Sequence, residues 1–447
     1  MNGKSWPSGV ALAAVLAAGL AQPDYGQTAY RLTLAEAIQK GLQRNLGVLV
    51  ARARVEEAEG TRERQRASLM PRSFVETPVV LQNLNLQVMG ITVPIPGFPT
   101  VVGPFATYAA RVYVDQPLLD LRSYHAWKAS DKQEQSTHND YQDARDSVVR
   151  QITNLYLSAQ SAAALVEAAQ SRTADSEALY KLAQDRHDNG KATGVDVLRA
   201  QVQLAVDQQS VLEARNNAKQ VLLVLARQIG LSPGTPLELA EPLRFEPVES
   251  PDAGAVLNSA LAHRSDYISL ATQRQALVEQ QKANHARYLP RFSVDANYGP
   301  IGRNFGNFPL TGAAEVSMTI DLFDRDRQGE AKEIESRVRR VDEQMADLRL
   351  GIEQDLRGAL LDLDSAAGEV AVAKQGLDLA QTELTLARDR FREGVTDNLE
   401  VITAQDAVAR AQQNYITALT RHVDAKSALA RALGDTEKTY AHYLGVQ

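Results

Sequence analysis

The chain has no cysteine among its 447 residues. Disulfides, thiol nucleophiles and thiolate metal sites are therefore excluded, and no N-terminal lipid can be attached through a cysteine. Proline is absent after Pro309, so nothing forbids unbroken helix over the last part of the chain. Aromatic residues make up only 6 %. A composition rich in Ala, Gln, Asp, Glu and Arg suits long helices better than one compact core. The seven histidines form no pair at the i, i+4 spacing of a helical metal site. There is no Gly-x-Ser-x-Gly element, no P-loop and no Rossmann glycine pattern. Enzymatic chemistry thus has no foothold, and no cofactor is implied. The net charge of −7 speaks against nucleic acid as the main partner.

Long apolar runs are scarce as well. Met1 to Ala21 reads as a secretory signal peptide, with Lys4 in the basic region, Val10 to Leu20 as the apolar stretch and Gly19-Leu20-Ala21 at the cleavage site. No other run approaches the roughly 18 apolar residues of a membrane helix. An exported chain of this kind can still span a membrane through β-strands.

What the chain does have is periodicity. From Ile352 through Leu356, Ala359 and Leu363 to Phe391, apolar and small residues recur in alternating steps of 4 and 3. That is the heptad signature of a supercoiled seam. Large residues alternate with Ala, so close lateral packing of helices is expected. Gly358, Gly368 and Gly376 lie off the seam; they are read as sites of close packing or gentle bending.

The same object occurs twice. Leu182 to Gly190 aligns with Leu386 to Gly394 at an offset of 204, and Pro71-Arg72 aligns with Pro290-Arg291 at 219. A repeat this long is a duplicated half-protein, not a solenoid unit. Long helices are expected over Leu121 to Asn189 and Arg325 to Phe391, with return helices over Val195 to Ile229 and Leu399 to Leu433. Shorter ones are expected over Leu34 to Arg44, Val48 to Leu69 and Tyr267 to Leu289. Thr33 and Glu36 form a capping box for the first. The parts are then a leader (1–21), a first repeat (22–230), an irregular belt (231–254), a second repeat (255–434) and a tail (435–447).

Between the shorter and longer helices the period changes to 2. Tyr108, Ala110, Val112 and Val114 alternate with Arg111, Tyr113 and Asp115. Phe292 to Tyr298 and Val316 to Leu322 behave likewise. An aqueous sheet can show this pattern, but the lengths are close to those of tilted membrane strands. Each half gives two strands, within about 73–118 and 291–322. Four strands cannot close a barrel, and an open sheet in lipid leaves backbone groups unsatisfied. Membrane insertion therefore requires oligomerisation. A trimer gives twelve strands, whereas the eight of a dimer leave almost no lumen.

The order of these features resembles the TolC family of outer-membrane efflux proteins. The residues that carry the resemblance are Leu32 to Ile38, Leu289-Pro-Arg291, Gln116 to Asp120 and Asp321 to Asp324. The two tip motifs add Arg186-x₃-Gly190 to Gln201 and Arg390-x₃-Gly394 to Gln405. The chain departs from the family where Gly-Gly usually follows the strands: Leu121-Arg122 and Arg325-Asp326 stand there. The resemblance implies a mainly α fold with a transmembrane β part. Three copies would form a 12-stranded β-barrel in the outer membrane of a Gram-negative bacterium, continued by an α-helical periplasmic tunnel. It further implies a passive conduit for efflux or secretion, working with a periplasmic adaptor and an inner-membrane transporter. An exported coiled-coil protein without a pore is the reading the strands speak against; a conduit for secreted proteins uses the same tube.

Candidate site residues lie at the two hairpin tips. Gly190, Gly194 and Gly394 are expected to supply the positive φ of a sharp reversal, and by resemblance the tips dock the adaptor. Glu400 matches an acidic entrance position of the family, with Thr403 at the next one; Asp196 is its counterpart in the first half. Three copies of Glu400 would form an anionic ring. Asp324 to Glu335 has the spacing of a Ca²⁺ loop, but Arg325 and Arg327 offset its charge, so no metal is assigned.

Overall fold

A computed structural model of the chain describes residues 30–91, 96–97, 99–248, 251–304, 306, 308–434, 436–438 and 440. The leader expected at 1–21 and most of the 435–447 tail lie outside them.

In chain order the elements are β1 (Tyr30–Leu32), α1 (Leu34–Arg44), α2 (Leu46–Ala67), β2 (Arg72–Glu76), β3 (Val79–Asn85), β4 (Val101–Ala109), β5 (Arg111–Leu119), α3 (Leu121–Asp188) and α4 (Gly194–Gln228). The second half follows with β6 (Leu237–Leu239), α5 (Ala253–His263), α6 (Ser265–His285), β7 (Arg291–Gly302), β8 (Leu310–Thr319), α7 (Asp326–Glu393) and α8 (Asn398–Leu433). The duplication is visible in these bounds. An offset of 219 carries α1 onto α5 and the starts of α2 and β2 onto those of α6 and β7. The two long helices have 68 residues each, roughly 100 Å at 1.5 Å per residue.

The helices form one layer. In the half remote from the strands the lateral order is α4, α3, α8, α7; in the half nearer the strands it is α2, α3, α6, α7. The two long helices span both halves, and shorter helices stack end to end between and beside them. The α7 seam is what holds this layer. Every seam position from Ile352 to Phe391 is buried except Ala373, which is half-buried. A buried Leu or Phe side chain contributes roughly 1.5–3 kcal/mol, so packing dominates over intrinsic propensity. At Gly358, Gly368 and Gly376 the close packing is not found within the chain: no other element comes within 4 Å of where a Cβ would stand. They neighbour an outward face of α7 that nothing in this chain covers.

A second core sits at mid-length, where Ile38 of α1, Ile152 and Tyr156 of α3 and Leu225 of α4 meet Leu32 of β1. The Thr33–Glu36 capping box opens α1: Glu36 N donates to Thr33 Oγ1 at 3.2 Å and Thr33 N to Glu36 Oε2 at 3.4 Å. Tyr156 Oη donates to Leu32 O at 3.1 Å and to Glu241 Oε2 at 3.0 Å, so the belt is tied to the layer. The belt is less irregular than its composition suggests. It contains β6, paired in parallel with β1, and α5 begins before its expected end. Further along, Phe245 packs against His422 in a tilted contact with centroids 4.7 Å apart, and Lys426 Nζ donates to Glu246 O at 3.2 Å. Burial, and then the Lys426 charge, hold the His422 imidazole below its ordinary value.

The sheet is a four-stranded antiparallel path with two of its strands interrupted. β2 and β3 make one strand broken at Thr77-Pro78, and β4 and β5 one broken at Ala110. Their order is β2/β3, then β4/β5, then β7, then β8. One face carries Val75, Val112 and Tyr298 in register; the other carries the row Arg72, Asp115, Asp295 and Glu315. Val75, Tyr298, Val316 and Met318 are exposed in the single chain. The second half departs from the sequence pattern in one place. β8 ends at Thr319, and residues 320–325 leave the sheet although Ile320 and Leu322 keep the alternation. In the first half a single residue, Asp120, separates strand from helix, and its carboxylate accepts from Ser123 N at 3.0 Å. No described helix is long and apolar enough to cross a membrane.

Candidate functional site

The two hairpin tips lie side by side at the end remote from the strands. Both long helices end in the same closure. Lys191 N donates to Arg186 O at 2.7 Å and Gly190 N to His187 O at 2.8 Å; Val395 N donates to Arg390 O at 3.0 Å and Gly394 N to Phe391 O at 3.1 Å. These paired bonds need a residue of positive φ, supplied by Gly190 at φ 72° and Gly394 at φ 79°. Gly194 corrects the sequence reading. It is the first residue of α4 and is not among the glycines of positive φ. The Thr193 side chain starts that helix, so its neighbour has no need of unusual backbone.

Asp196 completes that start. Its amide donates to Thr193 Oγ1 at 3.3 Å while its carboxylate accepts from Thr193 N at 3.0 Å. The side chain placed by sequence at the entrance is thus turned back on its own N-cap and buried. Such a cap contributes about 1 kcal/mol. Glu400 occupies the matching position of α8, but Asp397 caps that helix, accepting from Leu399 N at 3.2 Å. Glu400 is left free of the cap, and Arg390 Nη1 meets its carboxylate at 2.9 Å. The acid is therefore compensated within the chain.

Four polar links tie one tip to the other. Arg186 lies over the Phe391 ring at 4.8 Å from its centroid and donates to the Phe391 and Arg392 carbonyls, the latter at 3.1 Å. Arg388 pairs with Asp175 at 2.8 Å. Asn398 Nδ2, fully buried, donates to Asp196 O at 2.6 Å. Arg199 reaches Asp397 at 3.7 Å. Below them Leu179, Ala183, Ala200, Leu384, Phe391 and Val401 pack as one apolar plug. The sequence reading missed these links. Arg186 was visible only as a repeat marker; Thr193-x-x-Asp196 carried the capping pattern that identifies it.

Two of the acids with Ca²⁺-loop spacing, Asp324 and Asp326, are engaged by one arginine. Arg287 takes Asp324, Asp326 at 3.1 Å and Glu330 at 2.6 Å, and closes the strand-to-helix turn. Among the described residues no group of His, Cys, Asp and Glu is placed to hold a metal ion.

A strand sheet with an apolar face, continued by two coiled hairpins whose long helices run about 100 Å, defines a channel subunit of the outer-membrane kind. The model of the outer membrane efflux protein family matches residues 37–231 and 256–435, and the chain belongs to that family. It is 23 % identical to the probable efflux pump outer membrane protein TtgC of Pseudomonas putida, over 96 % of this chain and 89 % of that one. It is 21 % identical to the alkaline protease secretion protein AprF of Pseudomonas aeruginosa, over 71 % of this chain and 69 % of that one. Its fold is that of the outer membrane protein VceC of Vibrio cholerae, with a TM-score of 0.75 at 18 % identity, covering 90 % of this chain and 96 % of that one. The Campylobacter jejuni outer membrane channel CmeC gives 0.77 at 14 %, covering 92 % and 89 %. The protein is accordingly an outer-membrane efflux channel of a Gram-negative cell, with its helical body in the periplasm.

Proposed function

We propose that three copies close head to tail into one passive conduit, the outer-membrane component of a tripartite efflux system. The observation that carries this is a pair of unfinished edges. On one side of the helical layer α7 leaves Leu361, Val372, Leu379 and Leu386 exposed, in steps of 11 and 7; on the other, α4 leaves Val195, Leu198 and Val202 exposed. Two different apolar edges on one chain make a heterologous contact, which forms a ring where its rotation closes. The sheet has matching open edges, β8 on one side and β2 with β3 on the other. In lipid these must be paired, and three copies supply twelve strands, an even number within the known range.

In this reading the repeats 22–230 and 255–434, joined by the belt, supply six alternating hairpins to the tunnel. The tips around Gly190, Gly194 and Gly394 meet a periplasmic adaptor, and an inner-membrane transporter supplies energy and substrate. Glu400 narrows the mouth with its charge shared by Arg390. A second reading, a conduit for secreted protein, is supported by the similarity to the alkaline protease secretion protein. The test is the mass of the detergent-purified protein by light scattering. A trimer is expected, and Val372→Glu or Leu198→Glu should reduce it to monomers that keep their helical signal. A monomeric wild type, or variants that stay trimeric, would remove the proposal.

A further inference from the structure

The duplication lets contacts inside this chain serve as templates for contacts between copies, an argument that rests on the head-to-tail assembly above. Within the chain four polar links join the first hairpin to the second. Advancing each link by one repeat, 204 residues, converts it into a contact between the second hairpin of one copy and the first hairpin of the next.

Three links lose their chemistry on the way. Asp175 and Arg388 become Leu379 and Gln184; Asn398 and Asp196 become Gly194 and Glu400; Arg199 and Asp397 become Thr403 and Thr193. The fourth keeps it. Arg186 becomes Arg390, and the carbonyls it holds, those of Phe391 and Arg392, become those of His187 and Asp188. The side chains at this contact are unfinished in the single chain. The Arg390 side chain is 56 % exposed. The ring of His187 is exposed where that of Phe391 is 2 % exposed. The exchange of Arg392 for Asp188 also places a carboxylate beside the approaching guanidinium, where the in-chain contact has a cation.

We propose that Arg390 of each copy grips the C-terminal carbonyls of α3 in the neighbouring copy, at His187 and Asp188, as Arg186 grips those of α7 within the chain. It is the one of the four links that survives across the copy boundary. The seam between copies at the mouth therefore rests on one such link where the seam within a chain has four. Glu400, which holds Arg390 at 2.9 Å, competes for the same guanidinium and weakens the grip. A cation here is favoured on general grounds, since helix C-termini carry partial negative charge.

The absence of native cysteine makes the test clean. Chains bearing Arg390→Cys are co-assembled with tagged chains bearing Asp188→Cys and treated with a short bismaleimide. Cross-linked species containing both chains, well above those of either single variant, are expected. In planar bilayers Arg390→Ala should shorten closed intervals by about tenfold, the low end for loss of a charged hydrogen bond, and Arg390→Lys should restore part of the loss. A trimer by mass that gives no mixed cross-links, or closed intervals unchanged in Arg390→Ala, overturns the latch and leaves the channel reading standing. Protein that forms no trimer at all overturns both.

Discussion

The two hairpins of this chain have the same frame and different joinery. Their long helices have equal lengths, their turns close with the same pair of hydrogen bonds around Gly190 and Gly394, and their seams share one heptad register. Their tips differ. In the first, an acid at the third helical position is spent on capping its own helix. In the second, the cap has moved to Asp397, and the equivalent acid, Glu400, is released from capping and meets Arg390. Duplication has thus kept the packing and freed selected polar positions for other use. Phe391 and His187 show the same divergence: one ring is core, the other surface.

The largest expected effect breaks that last contrast. Phe391→Ala removes the ring that plugs the tips and should lower stability by about 3–5 kcal/mol. His187→Ala, at the matching position, should change the unfolding of dissociated chains by about 0.5 kcal/mol or less. Denaturant titration of both variants in the dissociated state measures the difference; equal losses would mean that the tips are not divergent. Next come the glycines. Gly394→Ala forces an L-residue into left-handed backbone, at about 1–2 kcal/mol. Gly194→Ala should be neutral or stabilising, because the position is helical and Ala is the better helix former. Thermal melts of the pair decide it.

The smallest effect concerns pH and the belt. The His422 imidazole is held below its ordinary value by burial and by Lys426. The unfolded chain therefore takes up a proton first as pH falls. Stability contributed by neutral His422 is present above about pH 6.5, the ordinary imidazole value, and is lost as pH drops through it. His422→Phe should flatten this part of the acid limb in a melt series, and an unchanged limb would assign the loss to other groups.

Much of the frame was legible in the sequence because it repeats and is periodic. A heptad seam declares itself in steps of 3 and 4, and an offset of 204 identifies the second tip from the first. What escaped notice lacked one of these properties. The strands β1 and β6 have three residues each, too few for any period. Helix α5 began at Ala253-Gly254, which read as linker, although the 219 offset from α1 pointed straight at it. β8 stopped where the alternation continued, because Arg287 gathers Asp324, Asp326 and Glu330 into a turn that no local pattern announces. The polar links of the tips join residues some 200 positions apart, and only the folded chain brings them together. Gly194 was visible, but its conformation was decided by Thr193 and Asp196.

The most direct test of the account is single-channel recording of the purified protein in planar bilayers, wild type beside Glu400→Ala. The account predicts discrete channels from trimeric protein, with weaker cation preference in the variant. Folded, helical protein that gives no channels would contradict it.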